Sequence, residues 1–252
     1  MSGNDEGGTA LDAASHSPKG WALRGARAAI AVPGVVLFGS FIGFGAMTHD
    51  YGWPLWIAVL STLLVWAAPA QVVLAGALAS GAGLAGATLA VTVSAVRLLP
   101  MVVSILPVLR SERTSVWTRL LAAHYVAVTA WFEGLRLTPT LPRAARMPFF
   151  LGLANALVVG SALATAAGHA LAGVLPTALS IGLLGLTPLY FLMSLERGAK
   201  GLGERVALVL GLALAPLIAP FTPQYDILLT GVVGGTIAFA VERAARRRGR
   251  AA

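Results

Sequence analysis

Residues 55–109 read LWIAVLSTLLVWAAPAQVVLAGALASGAGLAGATLAVTVSAVRLLPMVVSILPVL and carry one charged side chain, Arg97. Crossing a hydrocarbon core takes about 20 apolar residues in a helix. The run holds two stretches of that length, 55–80 and 84–109. Working outward, further apolar segments fall at about 28–48, 120–132, 149–172, 174–194, 206–220 and 227–241. Across all 252 residues, 57% are apolar and 11% charged, and the mean hydropathy is +0.81. So few charges cannot coat a water-facing surface, and so high a hydropathy excludes disorder. Long unbroken runs, without short alternating ones, exclude a porin-type barrel. The fold class is therefore all-α polytopic membrane protein, with roughly 6–8 transmembrane helices and Pro/Gly-broken or re-entrant segments.

Residues 1–27 read as a disordered tail followed by an interfacial anchor at Trp21, Arg24 and Arg27. They lack the basic stretch and apolar core of a signal peptide. Residues 28–241 form the transmembrane domain, and 242–252 form a basic tail. The net charge of +8 comes mostly from Arg in the connections and tails. That is the pattern of cytoplasmic loops and lipid headgroup contacts, so the bilayer is the partner expected of these charges and nucleic acid is not.

Topology admits two arrangements. The connections at 110–119, 133–148 and 195–205 and the C-terminal tail are all basic and favour the cytoplasm. If every apolar segment spans, 110–119 falls outside. If 55–80 is a re-entrant pair of half-helices broken by Pro69, and 120–132 lies at the interface, every basic connection falls inside. Both arrangements place both termini in the cytoplasm. Gly39 with Gly43, and Gly231 with Gly235, have the spacing of close helix–helix contacts.

Four residues are candidates for a substrate site: Pro69, Gln71, Ser94 and Arg97. A cation near the midplane costs about 2.5–3.5 kcal/mol on insertion scales, so Arg97 needs a partner, freed carbonyls or a polar cavity. It reads either as an anchor for a substrate carboxylate or as a structural partner of Glu133 or of carbonyls near Pro100. Gln71 either binds substrate or satisfies backbone freed by Pro69. Ser94, one turn before Arg97, either lines the same cavity or bonds back to its own helix. Asn155, His124 and His169 read as hydrogen-bonded structural groups. All ten carboxylates lie in tails, connections or segment ends, which disfavours a pump built on a midplane acid. With no Cys, no metal cluster and no paired catalytic groups, neither an enzyme nor a cofactor is expected. Gly81-Ala-Gly83-Leu-Ala-Gly86 matches a dinucleotide fingerprint in letters only, since it joins two apolar segments.

Val32-Pro33-Gly34 through Gly39, Gly43-Phe-Gly45, Ser61, Ala67-Ala-Pro-Ala-Gln71 and Ser94-Ala-Val-Arg97-Leu98-Leu-Pro100-Met, ahead of Ser104 and Leu106-Pro107, resemble the AzlC-type branched-chain amino acid permeases. The likeness runs over roughly 28–220. Ser94-Ala-Val-Arg97-Leu98 stands where that family usually has Asn-x-Arg-His, and Glu133 is the nearest acid to a position often acidic there. The resemblance implies a multi-pass protein of the bacterial inner membrane. It implies a secondary transporter, working beside a small AzlD-type subunit, that exports branched-chain or related hydrophobic amino acids by alternating access. In that reading Arg97 takes the carboxylate, Gln71 and freed carbonyls take the ammonium, and Phe38, Phe41 and Phe44 surround the side chain. The competing reading is a non-transporting membrane scaffold that stabilises a partner.

Overall fold

The computed structural model describes residues 17–111, 114–198, 201–221 and 226–248, and among them every regular element is helical. In chain order these are α1 (Pro18–Ala28), α2 (Val32–Asp50), α3 (Leu55–Leu64), α4 (Ala68–Ala79), α5 (Leu84–Ala95), α6 (Leu98–Leu109), α7 (Val116–His124), α8 (Val128–Leu137), α9 (Arg143–Leu171), α10 (Thr177–Gly198), α11 (Leu202–Ile218) and α12 (Asp226–Arg248). The tail residues 1–16 and 249–252, with Arg113, Lys200 and Pro223, lie outside the described residues.

The frame is α9 with α1 and α2. At 1.5 Å per residue, the 29 residues of α9 extend about 43 Å, enough to flank both partners in succession. Glycines set the spacing. Gly25 of α1 lies against the backbone of Phe149 and Leu153, and Gly152 of α9 lies against that of Ala22. Further along, Gly45 of α2 meets the backbone of Thr165 and His169, and Gly168 meets that of Ile42. Residue numbers rise together along this contact, so α1 and α2 run parallel to α9. On the far side of α2, Gly39 meets Leu186 and Gly43 meets Ser180 and Leu184, so α10 runs antiparallel to it. The first of the two expected glycine pairs is thus a helix contact. The second is not: Gly231 and Gly235 have open space beside them, and α12 meets Leu210 and Leu214 of α11 through Gly234.

The long apolar run is interrupted. The stretch 84–109, expected as one helix, is α5 and α6 bent by 49° at Val96-Arg97. The stretch 55–80 breaks at 65–67, just before Pro69, which sits in the first turn of α4 where no intrahelical N–H is needed. Segment 120–132 is likewise two pieces, α7 and α8, separated by 125–127. Among the described residues two helices, Val32–Asp50 and Arg143–Leu171, are long and apolar enough to cross a membrane, or three if the bent pair α5–α6 counts as one span.

The ends of these pieces define two folded-back pairs. The carbonyl of Trp53, ahead of α3, is hydrogen-bonded to His169 Nε2 at 2.7 Å, near the C-terminal end of α9. Gln71 of α4 reaches back to Ser61 and Thr62 of α3, so the chain folds back on itself. It leaves through α4 to the turn at Gly81 (φ 82°), which starts the descent of α5 and α6. At the opposite end, Arg146 of α9 donates to the carbonyls of Val108, Pro139 and Leu141. That one guanidinium gathers the end of α6, the end of α8 and the start of α9. The pair α7–α8 therefore begins and finishes at this end, which also carries Arg110, Arg136 and Arg143. Two units result, α2 with α3–α4 and α5–α6 with α7–α8. Each is a crossing helix followed by a V-shaped pair, and they run in opposite directions. Such inverted units characterise many transporters.

Gly152→Val and Gly168→Val should each cost more than about 2 kcal/mol, because the added carbons collide with backbone. Gly231→Val should leave thermal stability of the purified protein nearly unchanged. Equal losses at all three positions would contradict this packing.

Candidate functional site

The three interruptions meet around one cavity of about 610 Å³, within the range of small-molecule sites. Its wall includes Trp66, Ala67, Ala68 and Pro69 from the start of α4. Arg97 and Leu98 come from the start of α6, and Ala127, Val128 and Thr129 from the start of α8. Leu37, Ser40 and Phe41 of α2, and Leu184 and Thr187 of α10, close the other side. Local sequence explains the open helix starts. The caps of α4 and α8 are Ala67 and Ala127, in extended conformation, and neither offers a side-chain acceptor. The first N–H groups of a helix have no intrahelical partner, and they carry the positive end of the dipole. At α8 these belong to Val128, Thr129 and Ala130, since Trp131 N already bonds to the Ala127 carbonyl.

Arg97 adds a full positive charge. No described carboxylate pairs with it, and its Nε is buried without a hydrogen-bond partner. The structural pairing with Glu133 does not form, because Glu133 is bonded to Arg136. No acid lines the cavity. A guanidinium and converging helix starts in an otherwise apolar chamber favour an anionic group, such as a carboxylate.

The two tips are tied together. Trp66 Nε1–H donates to the Tyr125 carbonyl at 2.8 Å, and the Tyr125 hydroxyl donates to Asn155 Oδ1 at 3.0 Å. Asn155 and His169 thus serve as structural hydrogen-bonded groups. The Trp66 ring stacks on Phe41, with centroids 6.3 Å apart and planes 16° from parallel. Across the cavity, Ser40 Oγ accepts from Thr187 N at 2.9 Å and from Thr187 Oγ1 at 2.7 Å.

Of the four candidate residues, Arg97 and Pro69 line this cavity. Gln71 does not: it is fully buried behind the wall, with Nε2 donating to Thr62 Oγ1 at 3.1 Å and to Ser61 Oγ at 3.4 Å. Ser94 is buried near the bend, outside the lining, with no partner for its Oγ. Among the expected aromatics only Phe41 lines the wall. Phe38 lies on Gly160, and Phe44 packs edge-on to Phe41. Trp66, Ser40, Thr129 and Thr187 escaped the sequence reading. Trp66 and Thr129 sit at the two breaks, and the Ser40–Thr187 pair joins residues 147 apart.

Ala127→Asp supplies the missing cap and should stabilise the folded protein by about 1 kcal/mol. In an Arg97→Ala background the gain should shrink. A destabilised Ala127→Asp protein would mean that the start of α8 does not present free N–H groups to the cavity.

A family model described as AzlC protein matches residues 33–175, more than half of the chain. The match takes in α2 through α9, and with them Arg97 and the open starts of α4 and α8. No curated protein and no solved structure matches the chain.

Proposed function

The chain belongs to the AzlC family of membrane transport proteins, and we propose that it is a secondary transporter that exports branched-chain or related hydrophobic amino acids. The single observation that carries the reading is the cavity: one unpaired cation and converging helix starts, walled by apolar side chains. The substrate carboxylate lies against Arg97 and the N–H groups that open α8. The ammonium group turns toward the Ser40–Thr187 hydroxyls, and the hydrocarbon side chain lies against Leu37, Phe41 and Leu184. Gln71 has no direct part in holding substrate, because it does not reach the cavity. Binding through a carboxylate and an apolar pocket selects hydrophobic amino acids over charged ones, whose side chains would be buried unpaired.

Alternating access follows from the two inverted units. Movement of the α3–α4 and α7–α8 tips relative to the frame opens the chamber to one end or the other. The end bearing Arg110, Arg136, Arg143 and Arg146 faces the cytoplasm of a bacterial inner membrane, by the bias of basic residues to that side. Both termini lie on that side, and a small AzlD-type subunit completes the transporter. A purely scaffolding role gives no reason for an unpaired guanidinium beside a cavity of this size, so the transport reading is preferred.

The test is flux of labelled leucine, isoleucine, valine and methionine in proteoliposomes holding the chain alone, with a small partner, or as Arg97→Ala. A charge-assisted hydrogen bond contributes about 1.5–3 kcal/mol, so Arg97→Ala should weaken substrate binding about 10- to 100-fold. Flux that survives Arg97→Ala unchanged would remove Arg97 from the site. No flux from folded protein in any combination would overturn the transport reading.

A further inference from the structure

Behind the cavity wall lies a second polar cluster that the substrate reading does not use. Gln71, Ser61 and Thr62 meet Thr165 of α9, with Thr62 Oγ1 and Thr165 Oγ1 3.0 Å apart. Ser161, one turn before Thr165 on the same helix face, is also fully buried. None of these side chains is charged. Two of their polar atoms, Gln71 Oε1 and Ser161 Oγ, have no hydrogen-bond partner.

The protons of the two α3 hydroxyls point away from Gln71. Ser61 Oγ–H donates to the Ala58 carbonyl at 2.8 Å, and Thr62 Oγ1–H donates to the same carbonyl at 3.2 Å. With these two protons turned along α3, the Ser61 and Thr62 lone pairs face Gln71, and Thr165 Oγ1–H is the donor to Thr62 Oγ1. The Ser61 and Thr62 hydroxyls sit in the last turn of α3, where the last carbonyls of a helix lack intrahelical donors and the dipole is negative, while Gln71 comes from the first turn of α4, whose start lies at the chamber wall. Amide and hydroxyl oxygens at the negative end of a broken helix suit a cation. The absence of a carboxylate suits a single positive charge, since a divalent ion taken from water needs anionic ligands to offset its desolvation.

We propose that Gln71, Ser61, Thr62, Ser161 and Thr165 form a binding site for a small monovalent metal cation, with Na⁺ as the probe. Turning the Gln71 amide over places Oε1 where Nε2 now lies, facing the two hydroxyl oxygens, and the cation replaces the amide hydrogens between them. The site is distinct from the substrate cavity, which Gln71 does not line. It is adjacent to it through the first turn of α4, which carries Pro69 and Gln71 two residues apart. Cation occupancy therefore fixes the first turn of α4, whose start is part of the cavity wall. The substrate ammonium is not the occupant, because the cluster does not border the chamber.

The experiment is the melting temperature of the full-length purified protein in NaCl, KCl and choline chloride at equal ionic strength, together with equilibrium binding of ²²Na⁺. The expected result is a saturable rise in NaCl only, with one ion bound per chain. Ser161→Ala removes an oxygen that has no protein partner, so this variant should fold, and its affinity for Na⁺ should fall about tenfold or more. Gln71→Glu should bind Na⁺ more tightly. Arg97→Ala should keep the Na⁺ response, so that failure of the substrate site and failure of the cation site are told apart. Equal stability in the three salts, or a Na⁺ response unchanged by Ser161→Ala, would overturn the proposal.

Discussion

Breaking a helix in apolar surroundings leaves backbone N–H and C=O groups that water cannot satisfy. Among the described residues, breaks at 65–67, 96–97 and 125–127 all border one cavity. The rest of the architecture follows from that constraint. The tips are joined by the Trp66–Tyr125 hydrogen bond, and Asn155 holds Tyr125 from α9. What the tips leave open is the chamber between them, where Arg97 and the starts of α4, α6 and α8 converge. The same unsatisfied groups that make a broken helix costly give the cavity its positive character, without a cluster of basic side chains.

The two faces of α4 separate two chemistries. One faces the chamber through Ala68, Pro69, Val72 and Val73. The other turns Gln71 toward α3 and, through Thr62, toward α9. On the first side the nearby helix ends are positive; on the second, the end of α3 is negative. A half-helix between an anion-favouring chamber and an oxygen-rich cluster feels both at once.

Much of this was legible from residue types. Arg97 stood out because it is the one charge among the 55 residues of 55–109, and the structure leaves it unpaired beside a cavity. Pro69 marked a break and the possibility of a re-entrant segment. Other features were hidden because they depend on direction and long-range pairing. Helix periodicity does not say that the bend falls at Arg97 itself, so 84–109 read as one apolar segment with breakers only at Pro100 and Pro107. Gln71 read as either a substrate contact or a partner of freed backbone, because a polar residue near a break has two faces to choose from. The choice is made by Thr62 and Thr165, the latter 94 residues on from Gln71. Phe38 and Phe44 share a helix with Phe41, yet only Phe41 meets the stacked Trp66. Gly231 and Gly235 had the right spacing but no neighbour to pack against.

The glycine contacts of α9 with α1 and α2 also divide the molecule by rigidity. Where two helices touch backbone to backbone at Gly25, Gly45, Gly152 and Gly168, even one methyl group has no room. Sliding such a pair by a residue brings a side chain into a gap that admits only hydrogen, so the contact has one register and resists shear. By contrast, Gly76, Gly83 and Gly86 around the α4–α5 turn have at most ordinary van der Waals neighbours. The long bundle of α1, α2 and α9 is therefore a mast of fixed geometry. The α4–α5 turn has no such lock, so any change of shape that leaves the mast intact falls to the helices hung from it.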